Sequence, residues 1–566
     1  MNTTLINVSE KETLPVQTDI MLIAPYSVST PDYEWDMSSL IKDAIIGGVG
    51  FIPVVGSAMS FLLGLFWPQQ KDNTWEQILQ KVEQMIENAQ LNTIKGILNG
   101  DIQEIKGKME HVQYMLETSP GSQESHDAYM FLARYLVSID EKFKSFDNKT
   151  NYQILPMYTN TVMLQIPYWK MGIEKKNDIG LTDIEVNELK QLIDTLVDRA
   201  RNYIHTMYER EYDNAINTST AASVTNNLLS VRGYCLLHGL ECIETIEHLQ
   251  NNSLNSGFYP KTISYSTVFD RPTNKTRIQA LTEDDQMQEP FKPALIGGKY
   301  NKIKSLLGYV RRIGNAPRVG GIKVTFTNGS SYTLGTVTSE TDSIELNESV
   351  IERLEVWGNG AVDEALFTLS DGRQLRIGER YAKKYRKYAV DGHYISGLYL
   401  ASDEPSLAGQ AAGIAVSYHM LADKKMSTIN INISSSTVTV ITNNGETPVP
   451  LTYNTNTPES EPLTVNPYRD MTIEPRSSIE ATRIDTPIIP ETRPNYYVAN
   501  SGPASSVRAV FYWSHSFTSQ WFEYSSIIVK AGEDGILESP SNSLYYSKVV
   551  IYNDTDKRAF VTGYNK

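Results

Sequence analysis

His238, Glu241, Glu244 and His248 fall within one apolar stretch, a residue set able to ligate a metal or move protons. On a helix, however, His238 and His248 stand about 15 Å apart along the axis, too far to share one ion. The other histidines are scattered. The spacings His-Glu-x-x-His, Gly-x-Ser-x-Gly and the phosphate loop do not occur. No catalytic constellation is legible, so no enzymatic activity, cofactor or metal is expected. Cys235 and Cys242 lie about 10 Å apart by helical rise, too far for a bridge, and read as small buried apolar residues.

The remaining chemistry is that of binding. Gln153–Trp169, QILPMYTNTVMLQIPYW, carries no charge and is apolar or aromatic around most of a helical circumference. Such a helix is either the centre of a core or a membrane span. Its apolar and aromatic members, with Tyr152 before it, are Ile154, Leu155, Met157, Tyr158, Val162, Met163, Leu164, Ile166 and Trp169. A second run, YAKKYRKY, interleaves Lys383, Lys384, Arg386 and Lys387 with Tyr381, Tyr385 and Tyr388. As a loop it could take acidic glycans or carboxylates through charge and cation–π contact, or it could be a solvated loop whose tyrosines pack locally. Near the C-terminus, Trp513, Trp521, Tyr545 and Tyr546 could stack on a sugar, and each also fits ordinary core packing.

The elements that must position these residues follow from pattern. The chain has 566 residues, 40% hydrophobic and 21% charged, enough for three or four ordinary domains. Its net charge of −15 argues against nucleic acid and against simple adhesion to anionic lipid. Up to about Leu249 the pattern is helix after helix. From Thr182, Leu189, Leu192, Ile193, Leu196, Val197, Ala200, Tyr203, Ile204, Met207 and Tyr208 keep helical spacing behind a Thr182–Glu185 capping box. Another helix is predicted from Thr74, with further ones near Ile102–Leu116, Ser125–Phe146, Gln153–Met171 and Ala222–Ile246, which together make a bundle. Ala44–Trp67 is uncharged but broken by Pro53 and glycines, and reads as a broken helical hairpin. Past Ser253 the pattern alternates: Ile322, Val324 and Phe326 face Tyr332 and Leu334 across Asn328-Gly329. Phe367 and Leu369 likewise face Leu375 and Ile377 across Asp371-Gly372. Ile441–Pro467, rich in Pro, Asn and Thr and without Lys or Arg, reads as a linker that survives trypsin. From Arg469 aromatic-rich strands predict a β-sandwich.

Specific strings carry a resemblance. GFIPVVGSAMSFLLGLFWP is similar to the first-helix region of Cry delta-endotoxins, with its Pro-x-x-Gly and closing Trp-Pro, and LPMYTNTVMLQIPYWK resembles the central helix of the Cry bundle. Asp36–Lys425 resembles the B component of the binary Pir toxins. MTIEPRSSIEATRIDTPIIPE and ILESPSNSLYYSKVVIYNDTDKRAFVTGY resemble the A component, so the two components read as fused. NGAVDEALFTLSDGRQLRIG and VDGHYISGLYL are similar to the repeats of a jacalin-like β-prism, while AGIAVSYHM lacks that family's usual sugar motif.

The resemblance implies a multidomain α and β protein. Its parts are an N-terminal extension (1–38), a pore-forming α-helical bundle (39–255), a central jacalin-like β-prism that binds receptor (256–426), a linker (427–468) and a C-terminal β-sandwich of jelly-roll type (469–566). The implied function is an insecticidal pore-forming toxin. It would bind a glycoprotein or glycolipid receptor on a gut cell, form a self-oligomer and insert a helical hairpin, Asp127–Phe146 with Gln153–Gly172, into the host cell membrane. In that pore Glu141 and Asp147 could face water. The alternative is a carbohydrate-binding lectin or adhesin that forms no pore. The N-terminus lacks the pattern of a classical signal peptide. Synthesis in a bacterial cytoplasm, release by another route and trimming near Lys11 or Lys42 are therefore expected.

Overall fold

The computed structural model describes residues 55–67, 74–83, 86–252, 261–272, 281, 295–296, 299–390, 392–401, 409–420, 469–488, 495–514, 521–539 and 545–565. The trimming sites near Lys11 and Lys42, the first part of the Ala44–Trp67 run and the Pro/Thr linker lie outside these residues.

Helices come first, in the order α1 (Val55–Phe66), α2 (Thr74–Val82), α3 (Asn88–Ile97), α4 (Gln103–Thr118), α5 (Gln123–Tyr135), α6 (Asn148–Gln153), α7 (Leu155–Glu174), α8 (Lys176–Ile179), α9 (Asp183–Thr218), α10 (Val224–Cys235) and α11 (Glu241–Asn251). The expected capping box opens α9: the Thr182 hydroxyl accepts from the Glu185 amide while the Glu185 carboxylate accepts from the Thr182 amide. Leu189, Ile193, Leu196, Val197, Ala200, Ile204 and Met207 are buried along one side of α9, as their spacing requires. Every residue of α7 from Leu155 to Trp169 is buried, and the helix begins with Pro156 in its first turn and runs on through Pro167.

Two predicted helices are not continuous. The α-helical part of Ser125–Phe146 ends at Tyr135 and continues as two 3₁₀ segments, Leu136–Ser138 and Asp140–Lys144. Arg199 of α9 donates to the Val137 carbonyl at 3.3 Å and to the Asp140 carboxylate at 2.7 Å, so tertiary contacts claim groups that a regular helix would use internally. Ala222–Ile246 divides into α10 and α11 around a π-helical turn, Leu236–Leu240. There Gly239 lets Ile204 and Leu155 approach so closely that a Cβ would stand 2.7 Å from the Ile204 side chain.

Strands follow from Ser264. Four of them, β5 (Ile303–Ile313), β6 (Ala316–Phe326), β7 (Ser331–Gly335) and β8 (Thr341–Glu345), form a sheet in the order β7-β6-β5-β8. A larger sheet joins β1 (Ser264–Tyr265), β2 (Phe269–Asp270), β9 (Ile351–Gly358), β10 (Val362–Leu369), β11 (Gln374–Gly378), β12 (Tyr385–Tyr388), β13 (His393–Ala401) and β14 (Gly413–Met420). Both expected hairpins form in the expected register, with Val324 opposite Tyr332 and Phe367 opposite Leu375. The left-handed backbone falls on the glycine of each turn, Gly329 (φ 87°) and Gly372 (φ 85°).

The C-terminal region is two four-stranded sheets. One has the order β15 (Arg469–Ile473), β22 (Ala559–Asn565), β17 (Tyr496–Pro503), β20 (Asp534–Leu537). The other runs β16 (Ser477–Ile488), β21 (Tyr545–Asn553), β18 (Ser506–Ser514), β19 (Phe522–Lys530). Both sheets supply one core, including Met471, Val498, Val507, Phe511, Val549 and Val561, distinct from the core shared by the helices and the β5–β14 sheets, which Phe560 of β22 joins.

Polar contacts stitch the regions. Glu241 of α11 meets His393 of β13 at 2.9 and 3.1 Å, both side chains buried. Glu244 caps the incoming chain through the Lys261 and Thr262 amides. The Arg558 guanidinium donates to the Asn217 carbonyl and the Ala221 amide to the Thr472 hydroxyl, tying the C-terminal sheets to the corner between α9 and α10. Removing one partner of a buried hydrogen-bonded pair leaves desolvated polar surface on the other. Glu241→Ala is therefore expected to cost about 1–3 kcal/mol in urea unfolding of the whole chain; an unchanged midpoint would contradict that role.

Candidate functional site

Helix α7, uncharged as far as Trp169, and its neighbour α5 meet through aromatic side chains that bond to each other's backbone. The Tyr168 hydroxyl donates to the Tyr129 carbonyl at 2.9 Å, and the Tyr129 hydroxyl returns a bond to the Tyr168 carbonyl. Their rings stack at 4.6 Å, and the Trp169 indole donates to the Ala133 carbonyl at 2.9 Å. Gly172 leaves the room: a Cβ there would overlap the Tyr129 ring and hydroxyl. Burial pushes both phenols well above the ordinary tyrosine range, so they stay neutral donors.

Other polar groups on α6 and α7 are less well served. Both amide atoms of Asn160, the Gln165 carbonyl oxygen and the hydroxyls of Tyr152 and Tyr158 are buried without a hydrogen-bond partner. Each such group costs about 1–3 kcal/mol. Beside Tyr158 lies an ionic cluster. The Asp140 side chain is wholly buried, with Arg199 at 2.7 Å and Lys144 at 3.9 Å, and Lys144 also meets Glu141 at 2.6 Å. Burial pushes the Asp140 carboxyl above its usual range, and the two cations offset this only in part. The Lys144 ammonium stands over the rings of Tyr158 and Tyr203. The bundle is thus closed around a centre that carries uncompensated polar surface.

All ten proposed membrane-insertion residues sit here. Tyr152 lies in α6, Ile154 at the junction, and Leu155, Met157, Tyr158, Val162, Met163, Leu164, Ile166 and Trp169 on α7; all are buried. Among the described residues no helix is long and apolar enough to cross a membrane. In α7 the reason is its Asn160, Gln165, threonines and prolines. Glu141 belongs to the ionic cluster, and Asp147 caps α6 by accepting from the Lys149 and Thr150 amides. Outside the seam, His126 bridges Asp127 and Glu185 at 2.9 Å each, joining the start of α5 to the start of α9. These residues and Met130, Phe131, Arg134 and Tyr135 line an open cleft of about 390 Å³.

The run Tyr381–Tyr388 is only partly a loop. Tyr385–Tyr388 is strand β12, paired to β9. Tyr388 is buried and donates to the Thr267 and Ile414 carbonyls, and Tyr385 stacks on Trp357 and donates to Glu355. Lys384 pairs with buried Asp270, Arg386 stands over the Tyr388 ring and the Arg318 guanidinium covers Tyr381, which leaves Lys383 and Lys387 as the members exposed without such a contact. Trp513 packs against the C-terminal core and the Phe522 ring, while Trp521 carries Arg483 and Lys548 over its face. Tyr546 is half-buried, and the Tyr545 side chain lies outside the described residues. The two tryptophans therefore serve different surroundings.

Sequence reasoning missed the Asp140–Arg199 and Glu241–His393 pairs because their partners are far apart in the chain. The available signal was an acid inside an apolar helical stretch, which demands a cation somewhere.

Comparison with known proteins gives the same picture. Residues 44–244 match the delta-endotoxin N-terminal domain family, and residues 467–562 match the PirA-like family. The crystal structure of PirB superposes with a TM-score of 0.64 at 28% identity, covering 68% of this chain and 94% of that one. The insecticidal delta-endotoxin Cry8Ea1 from Bacillus thuringiensis shares the fold at 10% identity, with a TM-score of 0.51 over 95% of this chain and 100% of its own. The pesticidal crystal protein Cry8Ca of Bacillus thuringiensis subsp. japonensis is 26% identical over 141 residues, 22% of this chain, and the chain spans 12% of that protein's length. The chain is thus Cry-like and similar to the Pir toxins, with a delta-endotoxin N-terminal domain match in its helical part and a PirA-like match in its C-terminal part.

The His126 contact titrates. Partial burial opposes its charge, but hydrogen bonds to Asp127 and Glu185 outweigh this and raise its pKa. A raised histidine pKa stabilises below the unfolded value, and that contribution is lost as pH climbs through the folded one. Once the intrinsic base-catalysed rate is divided out, protection of the Gln123–Tyr135 amides is expected to fall between pH 6 and pH 9, and His126→Gln to abolish that fall. Equal protection at both pH values in the native sequence would count against the bridge.

Proposed function

We propose that this toxin perforates gut-cell membranes. It would bind a glycoprotein or glycolipid receptor, assemble into a self-oligomer and insert the hairpin of Asp127–Phe146 and Gln153–Gly172. The observation that carries this reading is α7: uncharged and buried from Leu155 to Trp169, and lined with polar groups that find no partner in the closed bundle. Inside a bilayer a helical hairpin satisfies its own backbone. Its polar side chains would then face a water-filled lumen or neighbouring hairpins, as intramembrane polar groups generally do. Because no helix among the described residues qualifies as a span alone, insertion would need the oligomer.

The division of labour we infer has a helical bundle over 39–255, a receptor-binding β-prism over 256–426, a linker over 427–468 and a jelly roll over 469–566. Strands β13 and β9 share a single register pair, Ile395 with Ile351, which supports reading the large sheet as two four-stranded halves that with β7-β6-β5-β8 would make the three sheets of a prism. The orders β15-β22-β17-β20 and β16-β21-β18-β19 support the jelly-roll reading. Lys383 and Lys387 of the basic run are the candidates for receptor contact. Trp521 with its two cations is the candidate for a sugar. Release from a bacterial cell and action at the host membrane follow from this reading.

Dye release from liposomes carrying insect midgut lipids and glycoproteins tests it, with and without prior trypsin. Leakage is expected, and a disulfide engineered between α5 and α9 should stop it until reduced; Cys235 and Cys242 are buried and will not interfere. Retained vesicle binding without leakage under any activation would favour a lectin. A second variant isolates the stored cost. Asn160→Leu removes both unpartnered amide atoms at similar volume, and is expected to stabilise the closed bundle by about 1–3 kcal/mol and to slow leakage. A stabilised variant that leaks as fast as the parent would separate that cost from opening.

A further inference from the structure

Strand β19 is the outermost strand of its sheet, and it is unusually bare. Its sequence is FEYSSIIVK, with no proline and a lysine only at its end. Ile527 and Val529 point inward to the core between the sheets, while Tyr524, Ser526 and Ile528 alternate outward and are exposed, Ile528 by 69%. Phe522 and, on the neighbouring edge strand β20, Ile536 extend the apolar edge. Edge strands present unpaired amide and carbonyl groups, and natural proteins blunt them with prolines, bulges or inward charges. The Lys530 end and the irregularity opposite Phe511–Tyr512 are the only such devices in the described part of this edge.

The strand is complementary to itself in the antiparallel sense. Set about Ser526, a second copy would bring Ser526 opposite its equivalent on the axis and Tyr524 opposite Ile528 twice by symmetry. The latter is an aromatic–aliphatic pair, favourable across strands. The acid Glu523 and the base Lys530 sit at opposite ends, so antiparallel pairing sets unlike charges close and parallel pairing would set like charges close. Opposite residues share a face in such a pair, and this register keeps Tyr524, Ser526 and Ile528 outward.

We propose that β19 is a homodimerisation edge at which two copies of this chain join their C-terminal sheets into one eight-stranded sheet with twofold symmetry. This holds independently of membrane insertion. The isologous geometry is the ordinary one for a pair of identical chains.

The full chain carrying Ser526→Cys tests the twofold axis, because the two new thiols would lie at about the 4.5–5.5 Å Cβ separation of directly opposed residues. The native cysteines are buried. Under mild oxidation at micromolar protein, disulfide-linked dimer is expected to form at least about tenfold faster than with Glu533→Cys, an exposed control in the following turn, since pairing raises the local thiol concentration. Adding Ile528→Lys, a change at an exposed position that the fold tolerates, should return the rate to that of the control and hold the sedimentation coefficient at its monomer value. Equal rates for the two cysteine variants, or a Ser526→Cys rate indifferent to Ile528→Lys, would overturn the proposal. So would pairing of this edge with a host protein while the chain alone stays monomeric at every concentration.

Discussion

The rest of the bundle depends on the burial of α7. A helix without charge from its first residue to Trp169 cannot face water along any side without exposing apolar surface, so neighbours must cover its whole circumference. That demand explains why α9 is so long and why its buried stripe is unbroken. It also explains why aromatic residues lie where α5 and α7 touch. Tyr129, Tyr168 and Trp169 bring apolar area and a donor together, and each places its donor on a backbone carbonyl of the opposing helix. The seam is therefore closed by groups that fit one relative position of the two helices, which hydrophobic burial by itself would not fix.

Completeness of burial has a cost that the same helix displays. Asn160 and the Tyr158 hydroxyl are held in a dry interior without partners, and Asp140 is kept as a buried carboxyl whose charge is only partly offset. Natural cores seldom keep such groups without a use for them. By contrast, the contacts that hold the hairpin at its rim are charged and partly exposed: His126 between Asp127 and Glu185, and Arg134 against Glu188. Closure is thus secured at the rim by interactions that solvent, salt and pH can weaken, around a centre that gains from rearrangement.

Much of the architecture could be read in the sequence because it rests on local periodicity. The α9 capping box, the two β-hairpins and the buried face of α9 need only neighbouring residues to be seen. The breaks at Tyr135 and Leu236 were not legible, since they depend on Arg199 and on the close approach of Ile204 to Gly239, both distant in the chain. The basic run shows the same limit. Its composition suggested an open loop, whereas β12 forms because the free edge of β9 recruits it, and Tyr388 is consumed by that packing. Cation–aromatic interleaving describes a receptor loop and an edge strand equally well, and only the partner strand decides between them.

Continuity of the cores limits how the molecule can move. The helices share one apolar core with the β5–β14 sheets, and Glu241 with His393 is buried inside that boundary, so lifting the bundle away as a rigid body would expose a buried polar pair along with the apolar surface. The C-terminal sheets keep their own core and touch the bundle at the corner of α9 and α10 through Arg558 and Thr472, with Phe560 joining the shared apolar core. The weakest path for rearrangement therefore runs within the bundle. Residues 136–147 are held by short 3₁₀ turns, and Ile154 interrupts the helix between α6 and α7. A hairpin that swings on these two joints leaves the β sheets and the Glu241–His393 pair in place.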